Sequence, residues 1–411
     1  MDRTGAIDEL RAGWPILVAC ALGVGCSAIA LPFYSIGPLT KPIAAATGWA
    51  RSDIQFAIVF SSGIGAITAP VTGWLVERFG PRAVAMPSLV GVAMGLLIAS
   101  FATGLHSFWL GYALAAILGA GSNPVLWSRV VAGSFVKARG LALGLALVGT
   151  ALVAFLLPNL IAAVEPVQGW RVSLRIVAAT PVLVALPIVY LLLHPRDVRA
   201  RDGTAIEHVG LTVRQALGGY RFWVLTASIL FGYLAISGAG PNLMPAFTDR
   251  GIDTTSAAAI ASVYAISMIP GRILSGVLMD RMWAPMVACI ILLLPAVACL
   301  ILRSSTDTTL LILACGLLGL AAGAELDVLA FLTARYFGLA HYPRIYAFSY
   351  VALAAGSATA PTVFSRINEW TSSYAASFSI AAMLFVCAAL PLLLLGRYPV
   401  FDGPADDRSD A

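Results

Sequence analysis

Apolar residues fall into runs of about 20 along this chain, each ended by a short polar segment, and the pattern repeats from one terminus to the other. A run of that length crosses a hydrocarbon core about 30 Å thick as an α-helix, where an open sheet could not satisfy its backbone. Marking the runs predicts twelve spans, near 14–38, 53–75, 83–102, 107–134, 141–163, 171–193, 222–246, 256–279, 284–302, 308–334, 344–364 and 375–396. The expected fold class is therefore an all-α polytopic membrane protein. The longest polar stretch, His194 to Arg221, divides the spans six and six. It predicts an N-terminal six-helix bundle over 1–193, a cytoplasmic linker over 194–221, and a C-terminal six-helix bundle over 222–411 with a short cytoplasmic tail. The first run follows a charged opening and is too long for the core of a cleavable signal peptide, so it reads as the first span. Pro32, Pro158, Pro241 and Pro361 lie within spans and predict kinks.

Composition strengthens this reading: 60% of the 411 residues are hydrophobic and 11% are charged, against roughly 25% charged in a soluble domain. Of the 25 Lys and Arg residues, 16 fall in segments that an inside N-terminus places in the cytoplasm, 7 fall outside, and Arg129 and Arg272 lie within apolar runs. The positive-inside rule then puts both termini in the cytoplasm, and the expected location is the inner membrane of a bacterium. The basic residues are scattered over short loops, which argues against a nucleic-acid surface. The six cysteines all lie in apolar runs without a CxxC pair, and the four histidines lie in loops or at helix ends without ligand spacing. No metal or other cofactor is implied. A Gly-x-Ser-x-Gly elbow and a phosphate-binding GxxxxGK loop are both absent from the sequence, so neither hydrolytic catalysis nor ATP-driven pumping is expected.

The two halves echo each other. "GWLVERFGPR" at Gly73 matches "GVLMDRMWAP" at Gly276, with 276 − 73 = 203, and Pro158 and Pro361 differ by the same 203 residues. The first segment resembles the loop between the second and third helices of the major facilitator superfamily, Gly-x-Leu-x-Asp-Arg-x-Gly-x-Arg. Gly73, Leu75, Arg78, Gly80 and Arg82 match it, with Glu77 in place of the usual aspartate. The second copy keeps Gly276, Leu278, Asp280 and Arg281 and departs at Trp283. The resemblance implies two six-helix bundles that rock around a central site, with Gly73, Glu77, Arg78, Arg82, Gly276, Asp280 and Arg281 as a gating motif that stabilises one state of the cycle. Physically, a glycine lets two helices approach, and a tight turn with charges at the surface can pair in one conformer and release in the other. "GSFVKARGLALGLALVG" and "IPGRILSGVLMDR" are similar to the monocarboxylate porter and oxalate:formate antiporter branch. In that branch the eighth helix carries an arginine that holds the substrate carboxylate, which corresponds to Arg272. Animal monocarboxylate porters have an aspartate four residues earlier, where this chain has Met268, and the antiporter's lysine in the eleventh helix has no counterpart.

Charges inside the apolar runs are the remaining candidates. A lone guanidinium or carboxylate at mid-bilayer costs at least about 2.5–3.5 kcal/mol. Arg129 and Arg272 each lie eight residues from a surface charge, about 12 Å deep at 1.5 Å per residue. The equal depths predict that both face a shared cavity, although snorkelling or structural pairing fits the same spacing. Glu325 lies about 15 Å deep and Asp327 slightly shallower. Side chains two residues apart on a helix are separated by about 200°, so these two acids face different ways. Gly316, Gly319, Gly323 and Asp327 form one stripe, which suits close packing with Asp327 held by a buried partner, while Glu325 points to the other side. Either acid could carry a coupled proton. Neutral polar positions within the spans add Tyr34, Asn123, Tyr264 and Tyr350 as substrate-binding candidates, with Ser35, Asn159, Tyr233, Asn242 and Tyr346 beside them.

The expected function is secondary transport of a small organic anion, a monocarboxylate, coupled to protons by alternating access. The expected partners are that anion, protons and the lipid bilayer, with no nucleic acid and with the monomer as the working unit. A proton-driven efflux pump for amphiphilic or cationic compounds, with Glu325 or Asp327 holding a cation, is the alternative, and a non-transporting membrane sensor is the third reading.

Overall fold

The computed structural model describes residues 3–193, 210–248, 250–371, 373–399 and 401. Most of the expected linker and nearly all of the C-terminal tail therefore lie outside the described residues. The described chain is helical throughout, and twelve spans follow one another. They are α1 (Arg3–Gly25 and Ala30–Thr47), α2 (Arg51–Gln55 and Ala57–Phe79), α3 (Pro81–Ser100), α4 (Leu105–Leu118 and Pro124–Ser134), and then one long element, Arg139–Thr180, continuing through Leu186–Leu192. Gly169, at φ +78°, breaks that element into α5 before it and α6 after it. The second half holds α7 (Tyr220–Ala239), α8 (Thr254–Arg281), α9 (Ala284–Ser304), α10 (Thr308–Phe337), α11 (Tyr342–Thr371) and α12 (Tyr374–Ala389).

Sequence chemistry explains the punctuation. Gly80 takes φ +84° at the end of α2 and Pro81 opens α3. A glycine adopts that backbone without a Cβ clash, and a proline at the first helical position loses no hydrogen bond. The bend of 44° in α1 falls between Gly25 and Ala30, about one turn ahead of Pro32, as expected where a proline ring meets the carbonyl four residues before it. Pro158 differs: it sits within the helix, and the break comes eleven residues later at Gly169. The helix tolerates the proline, while the left-handed backbone at 169 requires glycine.

The first and last six helices meet along two seams, α2 against α11 and α5 against α8. One buried apolar cluster runs through both halves, joining Trp127 and Phe135 to Tyr336, Tyr346 and Tyr350. A second cluster, including Leu243, Phe247, Leu311, Phe364 and Phe378, belongs to the C-terminal half alone. The halves are thus knitted together at the face bearing Glu9, Lys137, Arg281 and Arg335, called here the basic face, and packed separately toward the opposite one.

Candidate functional site

The close approach of α8 and α10 builds the centre of the molecule. A Cβ on Gly319 would strike the Tyr264 carbonyl, one on Gly323 the Met268 carbonyl, and one on Gly271 the Leu320 carbonyl. Backbone packing of this kind is what small residues on facing helices permit. It carries Arg272 of α8 to Asp327 of α10: Nη1 lies 3.2 Å from Oδ1, and both side chains are essentially inaccessible. Arg272 Nη2 also donates to Thr150 Oγ1 of α5 at 3.4 Å, so this one guanidinium touches both halves. The pair is monodentate. Arg272 Nε and Asp327 Oδ2 are buried and have no hydrogen-bond partner, which leaves a donor and an acceptor where a bidentate contact would use both.

Glu325 lies on another face of α10, as its 100° spacing per residue requires. It is 1% exposed and neither carboxyl oxygen has a partner. Its carboxyl abuts Gly232 of α7. Five tyrosines surround these charges. Tyr233 lies in the electrostatic field of Glu325, Arg272, Tyr350 and Tyr34, and Tyr264 in that of Tyr34 and Glu325. Tyr346, fully buried with an unpartnered hydroxyl, stacks on Tyr350 at 6.1 Å and feels Asp327. The structure thus brings Arg272, Asp327, Glu325, Tyr34, Tyr264 and Tyr350 into one cluster.

Two candidates lie elsewhere. Arg129 is half-buried at the basic face, in the field of Tyr342 and Glu77, so it does not join Arg272. Similar depth along two helices fixes height in the membrane, not the direction a side chain takes, and this is why the spacing placed the two arginines together. Asn123 occupies the break in α4 between the short turn Ala120–Ser122 and Pro124. It is fully buried beside Gly65, with both amide atoms unpartnered. Of the other polar positions, Asn159 is exposed and donates to its own Phe155 carbonyl. Thr150 and Gly232 escaped the sequence reading. A threonine or glycine in an apolar helix carries no signal until its neighbour across the interface is known.

The gating residues occupy the two seams. Gly73 of α2 packs on the backbone of Pro343 and Arg344 at the start of α11, and Gly276 of α8 packs on Gly140 and Leu141 at the start of α5. Glu77 Oε2 lies 2.7 Å from Arg344 Nε and 3.6 Å from His341 Nδ1. Asp280 accepts from the backbone N–H of Gly140 at 2.7 Å and of Leu141 at 2.9 Å. Arg78 stacks over Trp74 and Phe79, Arg82 donates to the Tyr190 carbonyl and covers its ring, and Arg281 is exposed. Among the described residues, none of these three arginines meets a carboxylate.

Comparison with known proteins follows the same lines. The sequence profile of the Major Facilitator Superfamily matches residues 14–325. Monocarboxylate transporter 13 of Bos taurus is 27% identical over 351 residues, 83% of this chain and 80% of that protein. Monocarboxylate transporter 11 of Homo sapiens is 26% identical over 287 residues, 67% of this chain but 58% of that protein's length. Among solved structures, the E. coli fucose:proton symporter FucP superposes with a TM-score of 0.71 at 15% identity, covering 93% of this chain and 98% of that one. That likeness concerns the fold.

Proposed function

Because the chain belongs to the Major Facilitator Superfamily, and is thus a membrane transporter and not an enzyme, we propose that it carries a small monocarboxylate together with a proton by alternating access. In this reading the basic face is cytoplasmic, the membrane is the inner membrane, and residues 1–193 and 222–411 are the two rocking bodies joined by the segment 194–221. The observation that carries the proposal is the half-used pair at the centre: Arg272 keeps an unpartnered Nε beside a single contact to Asp327. A substrate carboxylate fits that arginine as a second, competing acceptor. When it displaces Asp327, a buried carboxylate loses its counter-ion, and an ionised group in that position costs several kcal/mol. Taking up one proton at the released Asp327 restores the charge balance, with Glu325, the acid that has no counter-ion of its own, as the carrier that relays it. Tyr34, Tyr264 and Tyr350 supply amphipathic walls around the substrate, Asn123 a polar group from the N-terminal half, and Arg129 a charge on the exit side. The latches at Gly73, Glu77, Gly276 and Asp280 hold the basic face closed while the site loads from the opposite face.

Uptake of labelled monocarboxylates into proteoliposomes under an imposed pH gradient tests this. Accumulation that collapses with a protonophore is the expected result. An unpartnered acid among tyrosines also suits a lipophilic cation. Extrusion of a cationic dye with no uptake of any monocarboxylate would therefore establish the efflux reading and end this one.

A further inference from the structure

The proton-carrying role proposed for Glu325 requires its carboxyl to be held at a fixed place inside the protein. The structure holds it in an unusual way. Its oxygens accept no hydrogen bond, and what fixes them is shape: the three atoms nearest to a Cβ added at Gly232 are Glu325 Oε1, Cδ and Oε2, the first in outright collision. The carboxyl therefore lies against bare α7 backbone, in space that any other residue at 232 would occupy. The backbone of α7 has little freedom to retreat. On another side α11 presses on it, with Gly356 packed against the Leu230 carbonyl and the Leu234 N–H. The charged and titratable groups facing this seat are Tyr233 from α7 and Tyr264 from α8, and Tyr233 is also in the field of Arg272.

We infer that Gly232 is a positioning residue for the coupling proton: it forms a carboxyl-sized seat in α7 that keeps Glu325 beside Tyr233, the side chain that also lies in the field of Arg272. The inference rests on the proton role proposed for Glu325. A methyl group at 232 meets only the end of a flexible side chain, so it should displace the acid more readily than it disrupts the fold. Shortening the acid by one methylene should make room for that methyl.

The test measures two rates in reconstituted protein, accumulation under a pH gradient and exchange between equal pools. Gly232→Ala is expected to lower the ratio of accumulation to exchange about tenfold, the factor carried by one unit of proton affinity. Glu325→Asp alone should lower the ratio too, because the shorter acid no longer reaches the seat. The double variant Gly232→Ala with Glu325→Asp should exceed Glu325→Asp alone, a comparison that holds even if the single glycine variant fails to fold. An unchanged ratio in Gly232→Ala, or a double variant worse than Glu325→Asp, overturns the seat. Glu325→Gln separates the two layers. If it accumulates substrate like the wild type, the proton role itself fails. If it loses accumulation while Gly232→Ala keeps it, only the role of Gly232 fails.

Discussion

Arg272 is the residue on which most of the chemistry converges, and its planar fork of five donors is only partly used. Arg272→Lys keeps the charge and discards the fork. Losing one charge-assisted hydrogen bond costs about 1.5–3 kcal/mol, so the Kd for a monocarboxylate, read by calorimetry, should rise about 10- to 100-fold. In the proposed cycle Asp327 has a different role: it competes with the substrate and neutralises the arginine in its absence. Asp327→Asn should lower the thermal midpoint of the empty protein, since breaking a buried pair from one side costs about 3–5 kcal/mol. The same variant should bind the carboxylate more tightly and gain more thermal stability from it than the wild type does. A variant that is destabilised and binds more weakly would show Asp327 to be purely structural. Much of this was legible beforehand. The cost of charge in lipid singled out Arg272, Glu325 and Asp327, and helical spacing alone sent the two acids to different faces. The partners were not legible, because each depends on a neighbouring helix: Asp327 on α8, Glu325 on α7, Arg129 on the start of α11.

Helices end where their backbone groups find other partners, and the start of α5 shows how that can serve a moving protein. The first N–H groups of a helix have no acceptor within it. Here Glu9 of α1 accepts from Val136, Lys137 and Ala138, all within 3.0 Å. Asp280, from the other half, accepts from Gly140 and Leu141. One acid belongs to the same half as α5 and travels with it; the other must let go when the halves part. Asp280→Ala removes a cap worth about 1 kcal/mol, so the ratio of latched to open molecules should fall about fivefold. A spin-label pair across α5 and α8 at the basic face, measured by pulsed electron resonance, reads that population. The sequence exposed the glycine and the acid of this latch through the repeat, and the count and order of spans through hydropathy. It did not expose that α1 bends ahead of Pro32 while Pro158 passes unbroken, since both prolines carry the same local signal and only the packing around them differs.

At the scale of the whole molecule, the 203-residue repeat relates the two latches atom group by atom group, and it also explains where they differ. Gly73 corresponds to Gly276, Glu77 to Asp280, Gly140 to Pro343 and Leu141 to Arg344. In the α5–α8 seam the acid is held by the N–H groups of Gly140 and Leu141. Pro343, at the position of Gly140, has no N–H to offer, and Glu77 instead meets the Arg344 side chain and His341. One latch is made of backbone, the other of side chains. Arg344→Leu should therefore open the α2–α11 seam, increasing the inter-half distance at the basic face and slowing transport with little change in substrate binding. Arg78→Ala should do much less, because Arg78 stacks on its own helix's Trp74 and neighbouring Phe79 and not on the other half. The decisive variant rebuilds the missing donor. Glu77→Asp, Pro343→Gly and Arg344→Leu together turn the first latch into a copy of the second, with a backbone N–H restored at 343. If the geometry of the repeat governs closure, this triple variant recovers the short inter-half distance that Arg344→Leu alone has lost. If the distance stays long, the guanidinium itself, and not a backbone donor at the start of α11, is what closes that seam.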